Sequence, residues 1–175
     1  MLNYSWRITK YNPANRKNGA YVKGEWTSLS DVGKLYQDGV FSVNEYLQVE
    51  KLYVSAVCSI MGALGIESLQ VKNLEKDIYD FSSDKFSYIY PEEMQRLYAN
   101  ITEGDSITVE QVEILCKLIL REKLWCKLEN ELSMFAHFGF DYYMYIGASS
   151  PCNKEIQTIE SWGLFVESQE SPYLD

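Results

Sequence analysis

Residues 108–129, TVEQVEILCKLILREKLWCKLE, change their hydrophobic period partway through, and that change decides the fold. Thr108-Val109-Glu110-Gln111 has the spacing of a capping box, in which the hydroxyl accepts from the third helical amide and Gln111 reaches back to the cap. Val112, Leu115, Cys116, Ile119 and Leu120 then recur at threes and fours, the stripe of an amphipathic helix. From Leu124 the repeat becomes two: Leu124, Cys126 and Leu128 alternate with Trp125, Lys127 and Glu129, as in a strand with one buried face. Phe140, Tyr142, Met144 and Ile146 alternate in the same way with Asp141, Tyr143 and Tyr145. The two runs read as long antiparallel neighbours joined through residues 132–138.

Working outward, Ser42-Val43-Asn44-Glu45 is a second capping box. Tyr46, Val49, Tyr53, Val54, Val57, Ile60, Met61 and Leu64 continue it as one helical face, and Gly65 stands where a left-handed residue ends a helix. Leu2 to Tyr11 alternates as a strand and stops at Asn12-Pro13, since proline cannot donate to a ladder. Residues 12–24 read as an exposed loop or hairpin tip, and Asp38-Gly39 as a turn. Leu69 to Leu74 predicts a short strand, and Phe86, Tyr88 and Tyr90 another. Pro91-Glu92-Glu93 opens a short helix, Glu155 to Ser161 a helical turn, and Leu164 to Glu167 a last strand. This order predicts one α+β domain over residues 1–175. A mainly antiparallel sheet carries the two main helices on one face, with disorder confined to the last few residues.

The chain holds one histidine, His137, and 25 acidic against 16 basic side chains, a formal net charge of −9. The excess lies after residue 90, where fifteen carboxylates face six basic groups. Such a surface repels phosphate backbones and attracts basic proteins, so the expected partner is a basic protein and not nucleic acid. Four scattered cysteines form no C-x-x-C, and Met1 to Arg7 lacks an apolar leader core. No uncharged run approaches the roughly 18 residues of a membrane span. The expectation is a cytoplasmic protein with free thiols and no membrane partner.

Candidate chemistry is sparse. His137 paired with Cys126 or Cys152 would make a thiol site; a lone histidine packed among aromatics is the commoner outcome. Glu129 and Glu131, two apart on a strand, with Asp141 and Glu160 nearby, would suit glycoside hydrolysis or a hard cation. The same alternation, with Lys127 on that side, also describes the wet face of a sheet. Zinc spacings and phosphate-cradling glycine loops are missing, so no catalytic, cofactor or metal residue is assigned. What remains is aromatic. Trp125, Tyr143 and Tyr145 share a strand face with Glu129, Glu131 and Asp141, and tyrosine and tryptophan ringed by acids make a partner-binding surface. Helices covering both faces would bury the same tyrosines.

Trp6 to Pro13 and Glu25 to Gly33 resemble the opening of small bacterial proteins, and Ser161-Trp162-Gly163-Leu164-Phe165-Val166-Glu167 resembles the end of small acidic immunity proteins from toxin systems. The resemblance carries over no individual residue. It implies a non-enzymatic inhibitor that occludes a basic toxin or nuclease. The alternative is a small hydrolase with a carboxylate or Cys/His site.

Overall fold

The computed structural model describes residues 2–174. Strand β1 (Tyr4–Thr9) is followed by two small hairpins, β2 (Arg16–Lys17) with β3 (Ala20–Tyr21) and β4 (Leu35–Tyr36) with β5 (Gly39–Val40). Helix α1 (Val43–Leu64) leads to β6 (Ser68–Lys76), α2 (Glu92–Asn100), β7 (Ser106–Thr108) and α3 (Val109–Leu120). Strands β8 (Leu124–Asn130), β9 (Met134–Phe138) and β10 (Met144–Ala148), helix α4 (Asn153–Ser161) and β11 (Phe165–Ser168) complete the chain. Seven strands form one sheet in the order β11-β1-β10-β9-β8-β6-β7, with every neighbouring pair antiparallel. The protein is an α+β fold.

Helix α1 forms where its cap demands it. The Ser42 hydroxyl accepts from the Glu45 amide at 3.2 Å, and the Glu45 carboxylate accepts from the Ser42 amide at 2.8 Å. Gly65 ends the helix at φ 64°, a left-handed position that a side chain would strain. By length and composition α1 could cross a membrane, but its stripe faces β10 and α3, and Tyr46, Tyr53, Val57, Ile60 and Met61 are buried there.

Register explains why the sheet has one sealed face. Trp6, Ile146, Ala136, Leu128 and Val71 pair in a row across five strands, and α1 and α3 lie against that side. The next row, Glu167, Arg7, Tyr145 and His137, points to the opposite side, here termed the outer face. Gly147 lies there beneath Phe135; a Cβ on it would come within 2.1 Å of that ring.

Three sequence expectations change. Residues 134–138 are not a connection but strand β9, because Met134, Ala136 and Phe138 supply their own core alternation, and β9 lies between β8 and β10, so the two runs expected to be neighbours do not pair. The strand expected from Phe140 begins only at Met144: Phe140–Tyr142 is a tight turn with Asp141 and Tyr142 at φ 57° and 65°. Phe86, Tyr88 and Tyr90 instead form the start, middle and end of the short 3₁₀ turn Ser87–Ile89 and its caps, with Phe86 and Tyr90 turned inward and Tyr88 outward. An alternation of two thus arises from turns as well as from strands.

A buried ion pair joins the helical layer. Arg121, just past α3, donates through Nε and Nη2 to the two carboxylate oxygens of Glu50 on α1 at 2.7 and 2.6 Å, and through Nη1 to the Ile89 carbonyl at 2.7 Å. Burial pushes the Glu50 carboxyl above its usual range, and Arg121 pulls against that. Arg121→Met strands a buried carboxylate, and urea unfolding should show a loss of about 3–5 kcal/mol. Combining it with Glu50→Leu should restore most of the loss. A single variant as stable as the parent would show that the pair contributes nothing.

Candidate functional site

Two turns and the end of β6 enclose a cleft of about 830 Å³ at one end of the sheet. The first turn, Arg121-Glu122-Lys123, links α3 to β8 and places Glu122 at φ 58°. The second is the Phe140–Tyr142 turn. A tyrosine with positive φ is a genuine backbone outlier and costs on the order of 1–3 kcal/mol. Both turns are held from below by α1. The Tyr46 hydroxyl donates to the Leu120 carbonyl at 2.9 Å, and the Tyr53 hydroxyl donates to the Tyr142 carbonyl at 2.9 Å while accepting from the Lys10 amide at 2.7 Å. The Tyr142 ring is in turn packed by Tyr46, Tyr53 and Trp26.

β6 reaches the cleft through a bulge. Its pairing with β8 slips between Lys72 and Glu75, Asn73 adopts φ 52°, and the freed amides of Asn73 and Leu74 donate to the Glu103 carboxylate at 3.0 and 2.7 Å. The bulge re-aims the strand end, so Glu75, Lys76 and Asp77 line the cleft.

The cleft is aromatic and acidic. Leu120, Leu124, Phe138 and Tyr142 are its buried lining, Trp125 and Tyr173 stand half-buried beside them, and Phe140 is 87% exposed. Four carboxylates line it, Glu75, Asp77, Glu122 and Asp141, against two lysines. Lys123 donates to Asp84 at 2.8 Å and to the Tyr79 hydroxyl at 2.7 Å. Lys76 donates to the carbonyls of Tyr98 and Ile101 at 2.8 and 2.7 Å. Both ammonium groups are therefore directed into the protein, whereas the four carboxylates have no ion-pair partner among the described residues. Glu122 is an exposed residue, but the wall strips water from its carboxyl; this desolvation pushes it above the usual range, Lys123 opposes the rise, and Asp31 and Asp141 add to it.

The structure separates the six residues read from the sequence as one surface. Trp125 and Asp141 line the cleft, and the Trp125 indole N–H donates to the Phe138 carbonyl at 2.8 Å. Glu129 and Glu131 line a separate, smaller depression of about 460 Å³, with Glu131 also 3.5 Å from Lys72. Tyr143 is half-buried against Tyr11, beneath the Arg7 guanidinium. Tyr145 is only 8% exposed, with the Tyr173 ring 6.1 Å away.

That covering is the C-terminal segment, which lies ordered across the outer face where the sequence suggested disorder. The Gln169 amide donates to the Ser5 carbonyl at 3.1 Å, and Tyr173 sits 5.7 Å from Trp125. Between them Ser171 Oγ lies 2.9 Å from His137 Nδ1, while His137 Nε2 lies 3.0 Å from Glu129 Oε1. His137 is therefore a member of β9 and fully buried, with Phe135 stacked on it at 4.4 Å.

The Glu129–His137–Ser171 chain has the order of an activated nucleophile, but Ser171 is 5% exposed and its Oγ also accepts the Tyr173 amide at 3.2 Å. In this arrangement the contacts fasten the segment to the sheet. Cys126 lies on the core face of β8, opposite His137, and burial pushes its thiol up to about 12, away from thiolate chemistry. Cys152 is buried at the start of α4. Among the described residues no three His, Cys, Asp or Glu side chains converge closely enough for a metal ion.

Sequence reading missed Phe140, Glu122, Glu75, Asp77 and Tyr173. The only available signal was the Arg121-Glu122-Lys123 break between a helical and a strand period; positive φ at Glu, Asp and Tyr carries none. Removing the Tyr173 ring tests the fastening. Tyr173→Ala should cost about 1 kcal/mol, as one aromatic contact does, and should speed hydrogen exchange at the Gln169 amide. Unchanged protection there would show that the segment is held without Tyr173. Compared with known proteins, the chain matches no family model, no curated protein and no solved structure.

Proposed function

We propose that this protein is a non-enzymatic docking module for a basic protein, in the form of an immunity-type inhibitor that occludes a basic toxin or nuclease. The observation that carries the reading is the cleft mouth: Phe140, 87% exposed, projects beside the exposed Asp141, which has no ion-pair partner among the described residues. On the cleft's β6 side, Ile78 stands fully exposed between the lining residues Asp77 and Tyr79. Apolar side chains held outward on a rigid rim and ringed by carboxylates are the anatomy of an interface hot spot. Holding Asp141 and Tyr142 in left-handed backbone costs stability, and buried tyrosines enforce it, so the rim is preorganised. The net charge of −9 adds long-range steering toward a cationic partner.

A second reading has one supporting contact, the Ser171–His137–Glu129 chain. It requires residues 169–174 to lift, and a serine-reactive phosphonate that left Ser171 unlabelled would remove it.

The main reading is tested with a short arginine-rich peptide and its glutamate-rich counterpart. The wild-type chain should bind the first and ignore the second, more tightly at low ionic strength. Phe140→Asp should weaken binding by about 2 kcal/mol, the scale of a hot-spot residue. Asp141→Lys should slow association most at low salt. Equal binding of both peptides, or indifference to both variants, would sink the reading.

A further inference from the structure

We infer that the cleft between the Glu122 turn and the Phe140–Tyr142 turn is an anchor pocket for one arginine side chain, with the Glu122 carboxylate as its counter-charge and the Trp125, Phe140 and Tyr173 rings as its walls. The inference rests on the docking reading and deepens it: a partner meets the rim, and one of its side chains enters the cleft.

Charge selects the occupant. The groove on the helical layer, about 670 Å³, brings Lys51, Lys117 and Arg121 together with Glu50 and Glu113, so it carries no acidic excess to draw a cation. In the cleft the two lysines are directed into the protein and four carboxylates are left facing the space between the turns. An entering cation meets Glu122 where part of its water is already removed, so the pairing gains more than it would at a fully wet surface.

Shape refines the choice. The carboxylates are too dispersed to close around a metal ion. A volume of about 830 Å³ with an apolar floor admits a cation carried on a hydrocarbon stem. A planar guanidinium lies flat on a ring and forks onto both oxygens of a carboxylate, whereas an ammonium meets ring and carboxylate as a point charge. The protein sets both kinds of cation between a ring and a carboxylate: Lys10 lies 3.9 Å from the Tyr11 ring and 3.4 Å from the Glu25 carboxylate, and Arg121 lies 5.3 Å from the Tyr90 ring beside Glu50. Of the two, only Arg121 engages both carboxylate oxygens at once, at 2.7 and 2.6 Å.

The test uses the full chain with L-arginine methyl ester, and with citrulline methyl ester as its uncharged isostere. Binding is followed at the Trp125 indole N–H resonance. Arginine methyl ester should shift that resonance saturably and citrulline methyl ester should not. Glu122→Gln should weaken binding by at least about tenfold, or roughly 1.4 kcal/mol, while Glu131→Gln, outside the cleft, should leave it unchanged. Phe140→Ala removes an exposed ring without touching the core and should weaken binding as well. Equal shifts from both esters, or Glu122→Gln binding as the parent does, would overturn the pocket.

The arginine-rich peptide separates this inference from the reading beneath it. If the peptide binds parent and Glu122→Gln equally, the pocket fails and the docking reading stands. If the ester binds but the peptide binds no better than the ester, the pocket stands and the docking reading fails.

Discussion

Two hydroxyl groups hold the working end of this molecule in place. Tyr46 and Tyr53 are wholly buried along α1, seven residues and two turns apart, and each spends its one donor on a backbone carbonyl outside the helix. One carbonyl belongs to Leu120, where α3 gives way to β8, and the other to Tyr142, where the chain turns into β10. Phenylalanine at either position would fill the same volume and leave a buried carbonyl unsatisfied, which is why tyrosine is used at such cost in desolvation. The helix therefore does more than cover the sheet: it fixes the spacing of the two turns between which the cleft opens.

The same logic distributes charge through the fold. The buried charges of Arg121 and Glu50, and of Lys123 and Asp84, are answered at short range. The carboxylates that line the cleft are left without an ion pair among the described residues, and they share one sign. A folded chain satisfies its interior first, and the residue of that process is a surface whose imbalance is local and directional. The overall acidity is a blunter statement of the same fact.

Much of the scaffold was legible because helices and sheets repeat. The capping boxes at Ser42 and Thr108, the stripes that follow them and the alternation from Leu124 each engage a long-range core through a local rule. The outer face was less legible. The alternation of Tyr143 and Tyr145 indicates which residues leave the core side, but nothing in it announces that Tyr173 returns from the chain's end to cover Tyr145. The cleft was the least legible part. Its shape comes from left-handed backbone at Glu122, Asp141 and Tyr142; aspartate adopts it more readily than most side chains, but a tyrosine rarely does and is held there by the distant Tyr53 hydroxyl. Only Trp125 and Asp141 could be read as site members, and the reading placed them on a flat strand surface.

The ribbon formed by residues 168–174 has a position with its own consequence. Ser168, Gln169, Glu170 and Leu174 border the 460 Å³ depression beside Glu129, while Tyr173 borders the cleft. One short stretch of chain is thus a shared boundary between two concavities. An occupant that prised it away from either would alter the other, so the two hollows are thermodynamically linked: whatever free energy one guest spends on shifting the ribbon is returned to, or withheld from, the second.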